Sequence, residues 1–376
     1  MTRPDFEDAL SKHRREIQSL DGEILRLIAK RGEIAHEIGM LKRDARIPLR
    51  NYEVESRVVT RLRDRARELG LDGSVGEELA VFLIRRAVET QSPLVDSLHD
   101  GDRRRVLVVG GCGGMGRWVS RFLHVQGHTV RVHDPADAEG GFPRVSTLAE
   151  GAAWAELTLL AVPIGATAAA LHEIASHNPP GVVAEMCSVK SHLVDDLSAL
   201  RERGVRVVSF HPMFGPGARV LSGKQVLICR AGHARDEAIV EELFTATSAQ
   251  VVPVDLAEHD RHMAAVLGMA HLLNVGFARA LDLFGLSFAE LAAVSGVTFR
   301  RQAGTTREVA SENPRLYYEI QERNPHTKEV LRTLIDAFEE IRRSVDEGDA
   351  ARFEAIMDAG RCFFESEGSP PAEAAP

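Results

Sequence analysis

RVLVVGGCGGMGRWVSRFL, residues 105–123, decides the architecture of the middle of the chain. It reads as a short apolar strand, a glycine turn and an amphipathic helix. Gly111, Gly113 and Gly116 satisfy G-x-G-x-x-G in the context that gives that pattern meaning, a strand entering the turn and a helix leaving it. The glycines let the backbone turn tightly and approach a pyrophosphate, whose charge meets free amides at the helix N-terminus. Gly111, Gly113, Gly114, Met115 and Gly116 are therefore the expected cofactor-binding turn. A second strand, in HTVRVHD, ends at Asp134. An acid there accepts hydrogen bonds from a ribose 2′-hydroxyl and repels a 2′-phosphate, so the expected cofactor is NAD rather than NADP. Arg131 and Arg144 are nearby cations that act against this preference.

Further strands at 157–162, 182–186, 205–210 and 225–229 alternate with helical stretches, as a largely parallel sheet requires. Three segments follow strand ends and should gather where such sheets bind ligands. AVPIGAT (161–167) breaks at Pro163, which puts Val162 and Pro163 beside the cofactor. CSVK (187–190) carries Ser188 and Lys190. SFHPMFGP (209–216) places His211 at the C-terminal exit of its strand, in a loop. A histidine beside a nicotinamide can take the proton released as an alcohol loses hydride. Without that neighbour it reads as an ordinary loop histidine.

Outward from this centre the chain changes character. From residue 10 to 41 the positions 10, 13, 17, 20, 24, 27, 31, 34, 38 and 41 step by three and four, a coiled-coil stripe on one long helix, interrupted by His13 and Arg31. A buried Arg31 needs an anion, or must reach solvent. Lys42 lies eleven residues on and emerges on nearly the same face. Arg14 is about 42 Å from Lys42 along that helix, so both can meet one small ligand only if Arg14 comes from a second, antiparallel copy. After a break at Arg46-Ile47-Pro48, helices are expected at about 53–69 and 74–91. From about 256 to 364 the pattern is helical again, including 327–345.

The expected organisation is therefore multidomain: an all-α domain at 1–95, a linker at 96–104, an α/β Rossmann-type domain at 105–255, an all-α substrate and dimerisation domain at 256–366, and a disordered tail at 367–376. At 376 residues the chain exceeds one hydrophobic core. A net charge of −9 and a pI near 5.9 argue against a nucleic-acid partner, which would need a basic face. MTRPDFEDAL has no apolar signal core, and the longest apolar run, 157–171, is broken by Pro163 and Gly165, so no membrane association and a cytoplasmic location are expected. Cys112, Cys187, Cys229 and Cys362 are too scattered for a disulfide framework or zinc knuckle, and His259, His262 and His271 lack the partners that would complete a metal site.

The segment LDGEILRLIAKRGEIAHEIGMLK (20–42), with Arg14, Glu55 and Gln91, resembles the all-helical chorismate mutase family over roughly residues 5 to 95. The resemblance implies that Arg31 and the Arg14 of a second copy bind two substrate carboxylates, with Glu55 in the substrate-binding set. Lys42 and Gln91 face the ether oxygen of the breaking bond. Where that family usually has an acidic residue, an arginine and a serine, this chain has Asn51, Val54 and Ala87. An active mutase and a regulatory or dimerising module are the two readings that follow.

VSFHPMFGP with CSVK and AEHD (257–260) resembles the prephenate dehydrogenase family over about residues 104 to 365. The whole chain resembles the fused chorismate mutase–prephenate dehydrogenases. By this resemblance His211 takes the C4 hydroxyl proton as hydride leaves for NAD, Ser188 orients the imidazole and substrate, and Lys190 belongs to the substrate site. Arg307 in TTREVAS best matches the arginine for the ring carboxylate, with Arg300 and Arg301 as alternatives. His271 matches a histidine near the substrate, or is a buried structural residue. The implied substrates are chorismate and prephenate, or their 4-amino-4-deoxy analogues, and the implied assembly is a homodimer.

Overall fold

The computed structural model describes residues 3–45, 51–91, 103–136 and 141–365. The proline break at 46–48, most of the linker and the tail at 367–376 lie outside the described residues. The chain divides into two compact units, Met1–Ala257 and Glu258–Pro376.

The first unit opens with α1 (Arg3–Asp44), one unbroken helix of 42 residues. Next come α2 (Tyr52–Glu68) and α3 (Gly73–Gln91). Asn51, a departure from the resemblance above, caps α2. Its side chain accepts the Val54 amide at 3.0 Å. Glu53 and Glu55 then occupy the first turn and Arg65 and Arg67 the last, as the helix dipole favours. α2 and α3 pack so closely that a Cβ on Gly76 would lie 2.2 Å from the Leu62 carbonyl oxygen.

The packing of α1 differs from the sequence expectation. Among its described side chains Ile28, Arg31, Gly32, Ala35, Gly39, Met40 and Lys42 are half-buried or buried, whereas Leu10, Ile17, Leu20, Ile24, Leu27, Ile34, Ile38 and Leu41 are exposed. Arg31 therefore sits on the inward face of the subunit rather than in the Leu/Ile stripe. Small residues let α1 approach α3, and the larger apolar residues are left facing out.

The α/β part runs β1 (Arg105–Val109), α4 (Gly114–Val125), β2 (Thr129–His133), α5 (Leu148–Trp154), β3 (Leu157–Leu160), α6 (Thr167–Ser176), β4 (Val182–Glu185), α7 (Val194–Glu202), β5 (Val207–Pro212), β6 (Gln225–Arg230), α8 (Ala234–Thr245) and β7 (Gln250–Asp255). The sheet order is β2-β1-β3-β4-β5-β6-β7, parallel throughout except for the antiparallel β5–β6 pair. Edge strand β7 was not legible because Pro253 reads as a strand breaker; at a sheet edge a missing donor is tolerated. The second correction is at β5. His211 lies within the strand, opposite Leu227, and is 4% exposed, because antiparallel pairing with β6 carries the ladder on to Pro212. The core lies on the sheet, where Val106, Val108, Leu157, Leu159, Ala184 and Phe210 pack with Phe122 of α4 and Phe244 of α8.

The second unit is helical: α9 (His259–Met263), a π-helical turn (Ala264–Met269), α10 (Ala270–Phe284), α11 (Phe288–Ala293), α12 (Val297–Ala310), α13 (Pro314–Arg323), α14 (Thr327–Asp346) and α15 (Ala350–Glu365). The continuous helical stretch His259–Phe284 is long and apolar enough to cross a membrane, by length and composition alone, although charged and polar residues interrupt its apolar run. Only 17% of that apolar window is buried within the chain, and the polar side chains that are buried along it bond within the second unit. His259 Nδ1 lies 2.7 Å from Asp260 Oδ1 with both side chains buried. Asn274 Oδ1 accepts from Gln302 Nε2 at 3.0 Å and Thr306 Oγ1 at 2.7 Å.

Candidate active sites

The glycine turn is built for close approach. A Cβ on Gly111 would lie 2.5 Å from the Val132 side chain, and one on Gly116 2.0 Å from the Gly110 oxygen. The residue that needs glycine for its dihedral is Gly110, at φ +82, with Ala161 and Val162 pressed against it; sequence reading passed it over. Gly113 caps α4 without a side chain, Gly113 and Gly114 are exposed, Met115 is half-buried, and the first turn carries no acid. That cradle suits a pyrophosphate. Asp134 follows β2, and its Oδ2 accepts the Cys112 amide at 2.9 Å, which fixes it against the turn. The two competing cations are engaged by groups other than the Asp134 carboxylate. Arg144 donates to the carbonyl oxygens of Asp134 at 2.5 Å and Ala136 at 3.0 Å. Arg131 lies over the Trp154 ring at 4.5 Å. Val162 is half-buried and Pro163 exposed beyond β3.

Next along the sheet edge lies a buried ion pair. Lys190 Nζ is 2.8 Å from Glu185 Oε1 and donates to the Phe210 carbonyl oxygen at 2.8 Å, with both charged side chains fully buried. Burial acts to neutralise the ammonium, yet Glu185 outweighs it and holds Lys190 above the ordinary lysine range. Lys190 thus differs from its expected role, because an ammonium sealed between Glu185 and Phe210 cannot touch a substrate. It joins the end of β4 to the residue preceding His211. Glu185 Oε2 also accepts the Cys187 amide at 2.8 Å, so one carboxylate shapes the whole CSVK loop. Burial, reinforced by Glu185, pushes the Cys187 thiol up to about 12, and its Sγ rests 2.8 Å from Thr167 Oγ1. Ser188, flanked by buried Cys187 and Val189, is only half-buried.

In the second unit, His271 is half-buried and stacked on Tyr317 at 4.1 Å; burial lowers its pKa and so favours the neutral ring. Arg300 and Arg307, two turns apart on α12, line one cavity of 260 Å³ with Phe288, Ser295, Phe299 and Gly304. Arg307 lies over the Phe288 ring at 4.8 Å, and Arg300 Nε donates to Ser295 Oγ at 3.0 Å. Arg301 does not line that cavity. The Asn274–Thr306 bond fixes α10 against α12, and so the register of His271 against these arginines.

Among the N-terminal helices, Arg31 is half-buried and its Nη1 donates to the Leu83 carbonyl oxygen at 3.1 Å. Burial, and after it the charge of Arg61, lower its pKa, so a nearby anion would be stabilised. Glu55 is buried, Lys42 half-buried and Arg14 exposed on α1. Gln91 closes α3, and its side chain lies outside the described ones. Since α1 is continuous, Arg14 and Lys42 of one chain stand about 42 Å apart and cannot share a ligand.

Comparison with known proteins agrees with both halves. Chorismate mutase type II matches residues 13–92, the nucleotide-binding domain of prephenate dehydrogenase matches 137–252, and its dimerization domain matches 255–359. The chain belongs to the fused chorismate mutase–prephenate dehydrogenase family. The T-protein of Enterobacter agglomerans is 24% identical over 355 residues, covering 94% of this chain and 93% of its own length. That of Haemophilus influenzae is 23% identical over 349 residues, covering 93% and 90%. In fold, prephenate dehydrogenase from Aquifex aeolicus in complex with hydroxyphenyl propionate and NAD+ superposes with a TM-score of 0.55 at 19% identity, over 70% of this chain and 98% of that one. This family member carries both activities and uses NAD, an assignment that the glycine cradle and Asp134 fit. Among the described residues no group of His, Cys, Asp and Glu is arranged to hold a metal ion.

Proposed function

We propose that this chain rearranges chorismate to prephenate in its N-terminal helices and then oxidatively decarboxylates prephenate with His211 as the base. The observation that carries the second step is the Glu185–Lys190–Phe210 clamp, which fixes the Ser188 loop and the strand of His211 to one sheet edge beside the glycine turn. NAD, when bound, supplies the hydride acceptor. His211 takes the proton of the C4 hydroxyl as C4 gives up hydride and becomes a carbonyl carbon. Ser188, half-buried between buried neighbours, orients substrate and imidazole. The C–C bond to the ring carboxylate then breaks to release CO2, and its electron pair completes the aromatic ring of 4-hydroxyphenylpyruvate. Arg307, with Arg300 beside it, holds the ring carboxylate; neutral His271 donates or accepts a hydrogen bond. Asp134 receives the ribose hydroxyls.

The mutase step needs neither nucleophile nor proton transfer, only a compact conformer and positive charge at the ether oxygen. Arg31 and the Arg14 of a second copy hold the carboxylates, and Lys42 and Gln91 face the oxygen. That second copy would also cover the exposed Leu/Ile stripe of α1, so the working form is a homodimer. Its acidic charge and its small-molecule substrates suit the cytoplasm, without nucleic-acid or membrane partners. His211→Asn should keep NAD and prephenate binding while lowering dehydrogenase turnover by about 10²–10⁴, the range for losing a general base. Near-normal turnover would remove His211 from the mechanism.

A further inference from the structure

The segment between β5 and β6 leaves the catalytic strand at Pro212 and touches two other parts of the first unit before β6 begins. Its first stop is the cofactor helix. Phe214 meets the Trp118 ring edge-on at 4.9 Å, and the Trp118 indole N–H donates to the Ala218 carbonyl oxygen at 2.9 Å. Pro216 lies so close to the N-terminus of α4 that a Cβ on Gly114 would be 3.1 Å from its ring. The next stop is the mutase. Val220 is 7% exposed because it is seated among Val59 of α2 and Ala80 and Ile84 of α3. Leu221, one residue on, is back in the core of the sheet.

A second contact runs the opposite way. Tyr52, at the start of α2, is buried in the core of the sheet domain, its ring edge-on to Phe122 of α4 at 5.0 Å. Phe122 in turn stacks on Trp118 at 5.0 Å. Each part thus places one side chain in the core of the other. Both insertions lie next to mutase-site groups: Tyr52 is one turn before buried Glu55, and Ile84 adjoins Leu83, whose carbonyl oxygen holds Arg31.

We propose that residues 213–221, through Val220 and the reciprocal Tyr52, couple the two active sites, so that occupancy of the mutase pocket tightens NAD binding. The inference rests on the placement of the mutase pocket at Arg31 and Glu55. A ligand joining those residues restrains α2 and α3, which firms the seats of Val220 and Tyr52. Pro216 and Trp118 are then already ordered at the helix terminus that the pyrophosphate must meet. One ligand meets the entropy of ordering a segment that the other also needs, and by linkage NAD tightens the mutase ligand by the same factor.

The test uses the full chain. A non-reacting oxabicyclic dicarboxylate, shaped like the compact rearranging conformer, serves as the mutase-site probe, and NAD is titrated calorimetrically with and without it. The expected result is NAD binding about fivefold tighter with the probe bound. In a Trp154→Phe background, Trp118 emission should shift on adding the probe alone. Arg31→Ala should abolish both effects, which excludes probe binding at the dehydrogenase site as their source. Val220→Ala should reduce the coupling to less than twofold while both activities persist; Val220→Thr, nearly isosteric, serves if the alanine variant loses its fold. Unchanged NAD affinity with the probe bound, or full coupling in the folded Val220 variants, overturns the proposal. Failure of the probe to bind overturns the mutase-pocket assignment itself, and the coupling with it.

Discussion

Lys190→Met removes a cation from a place where water cannot replace it. In the native protein Nζ is 2.8 Å from Glu185 and 2.8 Å from the Phe210 carbonyl oxygen, with neither charged side chain exposed. Methionine fills the space but donates nothing. It leaves a carboxylate uncompensated in the interior, a change that typically costs about 3–5 kcal/mol. For a domain of this size the loss corresponds to a fall of roughly 10 °C in melting temperature. Both tryptophans, Trp118 and Trp154, belong to the sheet domain, so tryptophan emission during urea unfolding reports that domain selectively. Because the chain has several domains, the midpoint of this probe is the quantity to compare rather than a global free energy. The double variant Lys190→Met/Glu185→Gln should regain most of the loss, since no charge is then left buried. Lys190→Met at 25 °C should also lower dehydrogenase kcat and spare mutase kcat/KM. A single variant as stable as the native protein, or a double variant worse than the single one, would refute the clamp.

Arg307→Ala should raise the KM for prephenate more than it lowers kcat, as expected for a carboxylate anchor, and steady-state kinetics on Arg300→Ala should show a smaller rise. The opposite ranking would transfer the anchor to Arg300. His128 is buried and accepts the Arg104 amide at 3.3 Å; burial, and after it Arg103 and Arg104, lower its pKa from 6.5 to about 4. The folded state keeps it neutral while the unfolded chain binds a proton, so its contribution is full above pH 6.5 and about 3 kcal/mol is lost as the pH falls to 4. His128→Gln should flatten that acid limb in urea midpoints measured across this range, and an unchanged slope would place the acid sensitivity elsewhere.

Much of the dehydrogenase was legible because its signals are local. The glycine turn, Asp134 and the strand-end motifs each read within a few residues, and the sheet they specify is present. What was not legible depends on pairing or burial between distant segments. Nothing near His211 shows that β6 will run antiparallel and draw it into the strand. Lys190 looks like a surface cation until Glu185, a charged residue at the end of an apolar strand, is seen to need it. In the mutase, periodicity located α1 but not which face turns inward, since Gly32, Ala35 and Gly39 carry no hydrophobic signal. Asn51 read as a departure from the family; the structure shows it as a helix cap, a role asparagine fills as well as aspartate. The cavity of Arg300 and Arg307 depends on α11, which supplies Phe288, and on the turn after it, which supplies Ser295, both from outside the arginine-rich motif.

The most direct measurement follows the full chain supplied with chorismate and NAD, with prephenate, NADH and CO2 recorded together. Chorismate should be consumed, prephenate should appear first, and NADH and CO2 should then form in equal amounts as 4-hydroxyphenylpyruvate accumulates; without NAD the reaction should stop at prephenate. Chorismate lost no faster than in buffer, or NADH formed without an equal amount of CO2, would contradict a chain that joins the rearrangement to the oxidative decarboxylation.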